Sequence, residues 1–273
     1  PPRSTLFPYT TLFRSLPQGV RGHHGEGQRT DGTNLVEEAR RLGYAIVHDR
    51  AELAGLPDDT RRVLGIFAHR HTFHDLTEEQ LREQNLPLYG ADAPTVGEMT
   101  DAALAVLQRH GRPFLLVVEE EGSDNFANVN NAVGTLEALR RADAACGVAR
   151  DYLRRHPDTL LLTAADSDAS GLQVIAVPPA SATAPLPATT GNGAPLDGRE
   201  GTGALPFLAA PDQFGNRLPF GIAWTGFEDG AGGILARAEG INEEALRSGN
   251  CDNSDVYRLI HLTLFGRTPD IGK

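Results

Sequence analysis

Two stretches of the chain place acidic side chains directly after apolar runs. The acids at residues 119–124 follow the apolar run 114–118, and those at residues 166–168 follow the run 160–162. Short apolar runs of this kind predict buried strands, and open α/β sheets bind ligands at the carboxyl ends of their strands. Clustered carboxylates are costly there unless a cation or a hydrogen-bond network neutralises them. The pattern therefore predicts a divalent-metal site.

The elements that must position these acids alternate between helix and strand, which favours an α/β fold, a sheet with flanking helices. Asn34 with Glu37 and Thr95 with Glu98 form capping-box patterns that open helices. The longest helix is predicted from about Asn131 to Arg155. Its predicted buried stripe is Val133, Leu136, Leu139, Ala142, Cys146, Ala149 and Leu153. The predicted strands are 45–47, 63–67, 114–118, 160–162 and 220–225. A last predicted helix carries Val256, Leu259, Ile260 and Leu264 on one face.

Composition limits the function. The 273 residues are 40% hydrophobic and 22% charged, which is typical of a globular domain. No apolar run approaches the roughly 18 residues of a membrane span. The net charge of −11 argues against nucleic acid as a partner. Cys146 fits a helix core and Cys251 a loop, and their spacing demands no disulfide.

The order of residues resembles the metal-binding half of alkaline phosphatases. That family reads Val-Glu-Gly-Gly-Arg-Ile-Asp-His, has another His three residues on, and later reads Thr-Ala-Asp-His-Glu. The Glu119-to-Asp124 spacing and the Ala165-Asp166 step match, whereas Asn125, Asn128 and Ser167 stand at the family's histidine positions. The resemblance covers about residues 17–266, apart from 178–218, and includes Arg29–Leu35, Glu98–Thr100 and Asp252–Tyr257.

The resemblance implies three metal ligands. Glu119 matches the acid of a magnesium-type site, Asp124 an aspartate of one catalytic metal, and Asp166 an aspartate of the second. Each has an alternative: a solvated acid for Glu119, a helix N-cap or Asx turn for Asp124, and a turn-forming residue for Asp166. Asp168 could supply charge that the lost histidine no longer provides.

Other acids and histidines are harder to assign. Glu228 or Asp229 stands where the family's last metal histidine is expected, as an oxygen ligand or simply in a polar turn. Glu120 and Glu121 replace two family glycines and have no predicted role. Histidines cluster at positions 69, 71 and 74, and at 23 and 24. The spacing of the first group would suit a zinc site, but no carboxylate or cysteine accompanies it in a fixed pattern, so exposed loop histidines that could reach the substrate mouth are the favoured interpretation.

Metal identity follows from ligand softness. Oxygen ligands suit magnesium, calcium or manganese, whereas zinc prefers imidazole or thiolate. Keeping the acids while losing the histidines therefore favours magnesium, or calcium or manganese, over the zinc typical of the family.

The resemblance also bears on chain organisation. Residues 5–15 resemble a translated sequencing adapter, so residues 1–15 are interpreted as non-native. Residues 16–273 are expected to be the C-terminal portion of an N-terminally truncated alkaline-phosphatase-like domain, with a Pro/Ala/Gly-rich excursion at about 178–205. The family's nucleophilic Asp-Ser-Ala motif is absent, so the serine is expected in a missing N-terminal part and the chain alone is expected to be inactive.

The implied activity is hydrolysis of a small phosphomonoester by a metal-dependent phosphatase that is periplasmic or secreted and could form a homodimer. One alternative is a non-catalytic binding module of the same family. Another is a phosphodiesterase or sulfatase of the same superfamily.

Overall fold

A computed structural model describes residues 12–230, 232–246 and 249–269. The helices are α1 (Leu12–Ser15), α2 (Leu35–Arg41), α3 (Arg50–Ala54), α4 (Glu78–Glu83), α5 (Val96–Gln108), α6 (Gly122–Asn128), α7 (Ala132–Arg155) and α8 (Asn253–Phe265), with short 3₁₀ turns at Ala169–Gly171, Pro179–Ser181 and Glu243–Ala245. The strands are β1 (Arg21–Gly22), β2 (Gly25–Glu26), β3 (Ala45–Val47), β4 (Val63–Gly65), β5 (Leu160–Thr163), β6 (Gln173–Ala176), β7 (Leu196–Gly198), β8 (Gly201–Thr202), β9 (Phe207–Leu208), β10 (Pro219–Ala223) and β11 (Arg237–Gly240).

The strands form one larger sheet and three pairs. Strand β10 is central to the larger sheet, pairing antiparallel with β6, β7 and β9, and β8 extends it beyond β7. Strands β5 and β11 pair antiparallel, as do β1 and β2, while β3 and β4 pair in parallel. Helices pack against these strands, so the predicted class of a sheet with flanking helices is confirmed.

The predicted helix starts are accurate where the capping chemistry is strong. Thr95 and Glu98 form the full capping box of α5, with each side chain accepting the other residue's backbone N–H. Asn34 caps α2 by accepting from the Glu37 backbone N–H. The Glu37 carboxylate instead pairs with Arg40, so this second box is half formed.

One predicted strand is wrong. Residues 114–118 adopt no strand, and the side chains of Leu115 and Val117 are 53% and 66% exposed. A strand needs a neighbour to satisfy its backbone N–H and C=O groups, and none of the described strands pairs with this segment. Glu119 therefore follows an irregular segment and not a strand end.

The predicted buried stripe of α7 is also wrong in part. Its buried side chains include Thr135, Ala138, Ala145 and Tyr152, whereas the predicted stripe member Leu139 is 50% exposed. The helix turns small residues toward α5, where Gly97 lies against the Ala144 and Ala145 backbone. Close helix approach, and not side-chain size, selects the buried face here.

The Pro/Ala/Gly-rich excursion contributes to the larger sheet through β7. Asp197 on that strand is 2% exposed and accepts from Trp224 Nε1 at 2.6 Å and from Thr202 Oγ1 at 2.9 Å. Of the segment predicted to be non-native, residues 1–11 lie outside the described residues, and α1 takes up the rest. In the described part of the chain, no helix has the length and apolarity to cross a bilayer.

Candidate metal centre

The acids predicted to bind metal come from separate segments that meet at one place. Asp124 lies on α6, and Asp166 lies three residues after β5. Asp229 lies in the loop that follows β10. With Glu119 and Glu121, which precede α6, these three residues form what we call the acidic cluster.

A side-chain amide ties two members of the acidic cluster together. Asn128 Nδ2 donates to Asp124 Oδ1 and to Asp229 Oδ1, each at 3.1 Å. The side-chain oxygen Oδ1 of Asn128 accepts from Ser170 Oγ at 2.9 Å, which fixes the orientation of the side-chain amide. The Asn128 amide therefore holds the Asp124 and Asp229 carboxylates beside each other while supplying no imidazole.

The electrostatics of Asp124 reflect crowding by other acids. Burial, a hydrogen bond with Asp229 and the negative charges of Asp229 and Asp166 together raise the pKa of Asp124 to about 6, and the Asn128 hydrogen bond only partly offsets this. The pKa of Asp229 is lowered, chiefly by hydrogen bonds from Asn128 and Asp124. When no cation is bound, Asp124 therefore holds its proton to a higher pH than Asp229 does, up to about pH 6.

Glu121 experiences the same crowding. Its pKa is raised first by burial and then by Glu119, Asp124 and Asp166. These interactions show that the Glu121 carboxylate lies near those of Glu119, Asp124 and Asp166, although its sequence position suggested no role. The structure thus brings Glu119, Asp124 and Asp166 into one electrostatic neighbourhood, together with Glu121 and Asp229.

Glu120 points away from the acidic cluster and has a separate role. Its Oε1 accepts from Tyr89 Oη at 2.9 Å and from the Gly122 N–H at 3.2 Å. The Arg141 guanidinium lies 3.5 Å from the centre of the Tyr89 ring. This partly buried network anchors the start of α6 to α7, a role that only the three-dimensional neighbours of Glu120 reveal.

Asp168 also has a structural partner. Its Oδ1 accepts from the Gly230 N–H at 2.8 Å, one residue beyond Asp229. Ser167 hydrogen-bonds Asp229 and, through Oγ, accepts from the Ala169 N–H at 3.3 Å. These two residues hold the loop that carries Asp229 beside the acidic cluster.

The acidic cluster is more open than a preformed cation cage. Among the described residues, one group of three has ligand atoms that all lie within 4.8 Å of one another, and it consists of His23, His24 and His48. The carboxylates are spread more widely, so a cation in the acidic cluster would draw side chains inward. His48 is 24 residues from His24 in sequence, and no local spacing indicates that it joins the other two histidines.

Comparisons with known proteins identify the family of the chain. A family model described as alkaline phosphatase matches residues 3–191. A membrane-bound alkaline phosphatase of Bombyx mori is 33% identical over 147 residues, which cover 50% of this chain and 24% of that protein. The matches span between 24% and 38% of the length of the curated relatives.

Solved structures show the same fold. Thermus thermophilus alkaline phosphatase has a TM-score of 0.62 at 21% identity, covering 89% of this chain and 61% of that one. A variant of the alkaline phosphatase from the Antarctic bacterium TAB5, with Mg bound in its M3 site, has a TM-score of 0.56 at 15% identity, covering 87% and 57%. Because the family model matches more than half of its residues, the chain belongs to the alkaline phosphatase family.

Proposed function

We propose that the chain is the metal-binding C-terminal part of a phosphatase that hydrolyses small phosphomonoesters. Glu119, Asp124 and Asp166 are the proposed ligands of divalent cations. Asp229 adds a fourth carboxylate, at the place where the family carries a further histidine. The nucleophilic serine, a homodimer partner and a periplasmic or secreted location belong to the same proposal.

The observation that carries the proposal is the uncompensated negative charge of the acidic cluster. Five carboxylates from three segments converge, and the strongest influences on Asp124 besides burial are other acids. Such repulsion is costly in a fold unless a cation relieves it. Crowding that raises the pKa of Asp124 destabilises the metal-free fold, so cation binding explains the clustered acids better than a structural role does.

Magnesium is the proposed ion. The acidic cluster offers carboxylate oxygens with neighbouring amide and hydroxyl groups, which are the ligands of hard cations. The TAB5 variants in which a histidine is replaced by glutamate or aspartate hold Mg in the M3 site, which supports oxygen-rich magnesium binding within this fold. Calcium and manganese share these ligand preferences.

The residues of this chain would position the metal ligands for the reaction. Asn128, Ser167 and Asp168 hold the Asp229 loop, and Glu120 anchors α6, so the carboxylates are positioned on fixed elements. A bound divalent cation would stabilise negative charge on the phosphoryl oxygens and favour deprotonation of the nucleophile.

Magnesium binding to the 273-residue chain tests the site. After chelator treatment, calorimetric titration with MgCl₂ should show binding that Glu119→Gln weakens by at least about tenfold, because one carboxylate ligand is lost. Glu83→Gln is the matched control, since it removes an exposed carboxylate at the end of α4, outside the acidic cluster. Equal weakening by both substitutions, or no magnesium binding at all, would contradict the proposed ligand set.

Activity tests the function. In a protein extended by the upstream residues of the same gene, Asp166→Asn should lower hydrolysis of p-nitrophenyl phosphate by about a thousandfold or more, with little change in the urea midpoint. Metal-free and inactive wild-type protein would instead favour the binding module. Preference for a phosphodiester or sulfate ester would favour the other branch of the superfamily.

A further inference from the structure

Three histidine rings gather on the side of the molecule formed by β1, β2 and β3. His23 and His24 form the turn between β1 and β2, and His48 directly follows β3. The ring centres of His23 and His48 are 4.9 Å apart, and those of His23 and His24 are 4.7 Å apart. One ring nitrogen from each histidine lies within 4.8 Å of the other two.

The hydrogen bonds leave lone pairs in this group. His24 Nε2 contacts the His48 carbonyl oxygen at 2.9 Å, and a carbonyl can only accept, so Nε2 carries the proton. In the neutral ring, Nδ1 of His24 then has its lone pair free for a ligand. A ring nitrogen that donates to a backbone carbonyl is the usual support for a metal-binding histidine.

His48 supplies the second, independent observation. The His48 ring interacts with the Ile66 backbone, but its Nδ1 is buried and makes no hydrogen bond of normal geometry among the described residues. A buried polar atom without a partner is costly and rare in folded proteins.

We propose that His23, His24 and His48 bind a zinc ion. Imidazole nitrogen is a preferred zinc ligand and a poor ligand for magnesium. Three protein ligands leave the fourth tetrahedral position to water. Glu52 Oε2 accepts from the His48 backbone N–H at 2.7 Å, so a carboxylate stands close by to offset the added positive charge.

Small side-chain rotations would complete the site. Ligand atoms around tetrahedral zinc lie about 3.3 Å apart, given bonds of about 2.0–2.1 Å. The present separations within 4.8 Å require a modest approach, and the nearly parallel rings of His23 and His48 must tilt so that their lone pairs converge. His23 is exposed and lies in a turn, so it has room to make most of this adjustment.

A zinc ion bound here would cross-link two separate segments of the chain. It would join the β1–β2 turn to the end of β3, the strand that pairs in parallel with β4. Zinc should therefore stabilise this end of the fold, independently of magnesium in the acidic cluster.

Zinc titration of the 273-residue chain tests the proposal. After chelator treatment, calorimetry with ZnCl₂ should show one equivalent of zinc whose affinity falls by at least about 100-fold in the double variant His23→Gln/His24→Gln. The double variant His110→Gln/His261→Gln, which removes two histidines elsewhere, should bind zinc as the wild type does. Both turn residues can be changed without removing buried side chains.

Further measurements separate this site from the acidic cluster. Asp124→Asn/Asp166→Asn should keep the zinc equivalent, and ¹⁵N spectra should show zinc-dependent shifts of three histidine rings. Unchanged zinc affinity in His23→Gln/His24→Gln would overturn the proposal, as would loss of zinc in the aspartate variant alone or no zinc binding by the wild type. None of these outcomes depends on phosphatase activity.

Discussion

Asn128 Nδ2 donates to Asp229 Oδ1 at 3.1 Å across 101 residues of sequence. The same nitrogen donates to Asp124, so one neutral amide links α6 to the loop after β10. These two hydrogen bonds hold the Asp124 and Asp229 carboxylates close together. Asn128 therefore sets the spacing of these carboxylates and adds a side-chain amide to the acidic cluster.

Restoring an imidazole at this position should change metal preference. We expect Asn128→His to raise zinc affinity at the acidic cluster by about tenfold or more relative to magnesium, because a borderline-soft ligand joins hard oxygens. The measurement is paired ZnCl₂ and MgCl₂ calorimetry in the His23→Gln/His24→Gln background. Gln108→His, on the exposed face of α5, is the control; an equal effect there would count against a site-specific change.

Removing the charge of Asp124 should stabilise the metal-free chain above pH 6. The folded-state pKa of Asp124 is raised from 3.8 to about 6, so its ionisation costs stability progressively between these values and fully above them. Asp124→Asn should gain on the order of 1 kcal/mol at pH 8, less than the full linkage value because solvent screens this partly exposed group.

Urea unfolding at pH 4 and pH 8, in the presence of chelator, measures this gain. The lowered pKa of Asp229 acts below pH 3.8 and so lies outside this window. Magnesium should stabilise the wild type and not the variant. A less stable Asp124→Asn chain at pH 8 would mean that the carboxylate is structurally required.

Glu78 should produce a second pH effect of the same sign. Burial raises its pKa from 4.5 to about 7, while its Oε1 accepts from the Val133 N–H at 3.0 Å near the start of α7. Stability from this group is lost as the pH rises from about 4.5 to 7. Glu78→Gln keeps the acceptor and should gain about 2 kcal/mol at pH 8.

The control for Glu78 is Glu83→Gln at the exposed end of the same helix, α4. Between pH 5 and pH 8, the free energy of unfolding should fall less in Glu78→Gln than in the wild type or in the control. An identical pH slope in all three proteins would show that Glu78 does not carry this effect.

The buried Asp197–Trp224 pair should support the larger sheet. Asp197→Ala leaves the Trp224 indole N–H and the Thr202 hydroxyl without their acceptor, which should cost about 2–4 kcal/mol. Trp224 is the single tryptophan of the chain, so its fluorescence reports on this site directly. Thermal unfolding with this probe should show a lower midpoint and a red-shifted native spectrum; Asp212→Ala, in an exposed turn, should show neither.

The sequence by itself determined the local elements and the identity of the family. Helix α5 begins where Thr95 and Glu98 predict, because a cap is a contact between residues three apart, and α7 begins close to its predicted start at about Asn131. Strands β3 and β4 follow from local apolar runs, and the candidate ligands Glu119, Asp124 and Asp166 follow from local patterns and from the resemblance. Predictions of this kind need no knowledge of distant neighbours.

Tertiary structure decided what depends on distant partners. An apolar run becomes a strand only if another strand pairs with it, and residues 114–118 have no such neighbour among the described strands. Three adjacent glutamates look alike in the sequence. Only the fold shows that Glu120 hydrogen-bonds Tyr89 whereas Glu119 and Glu121 belong to the acidic cluster. His48 joins His23 and His24, and Asp229 joins Asp124, because chain folding sets these distances and local spacing does not.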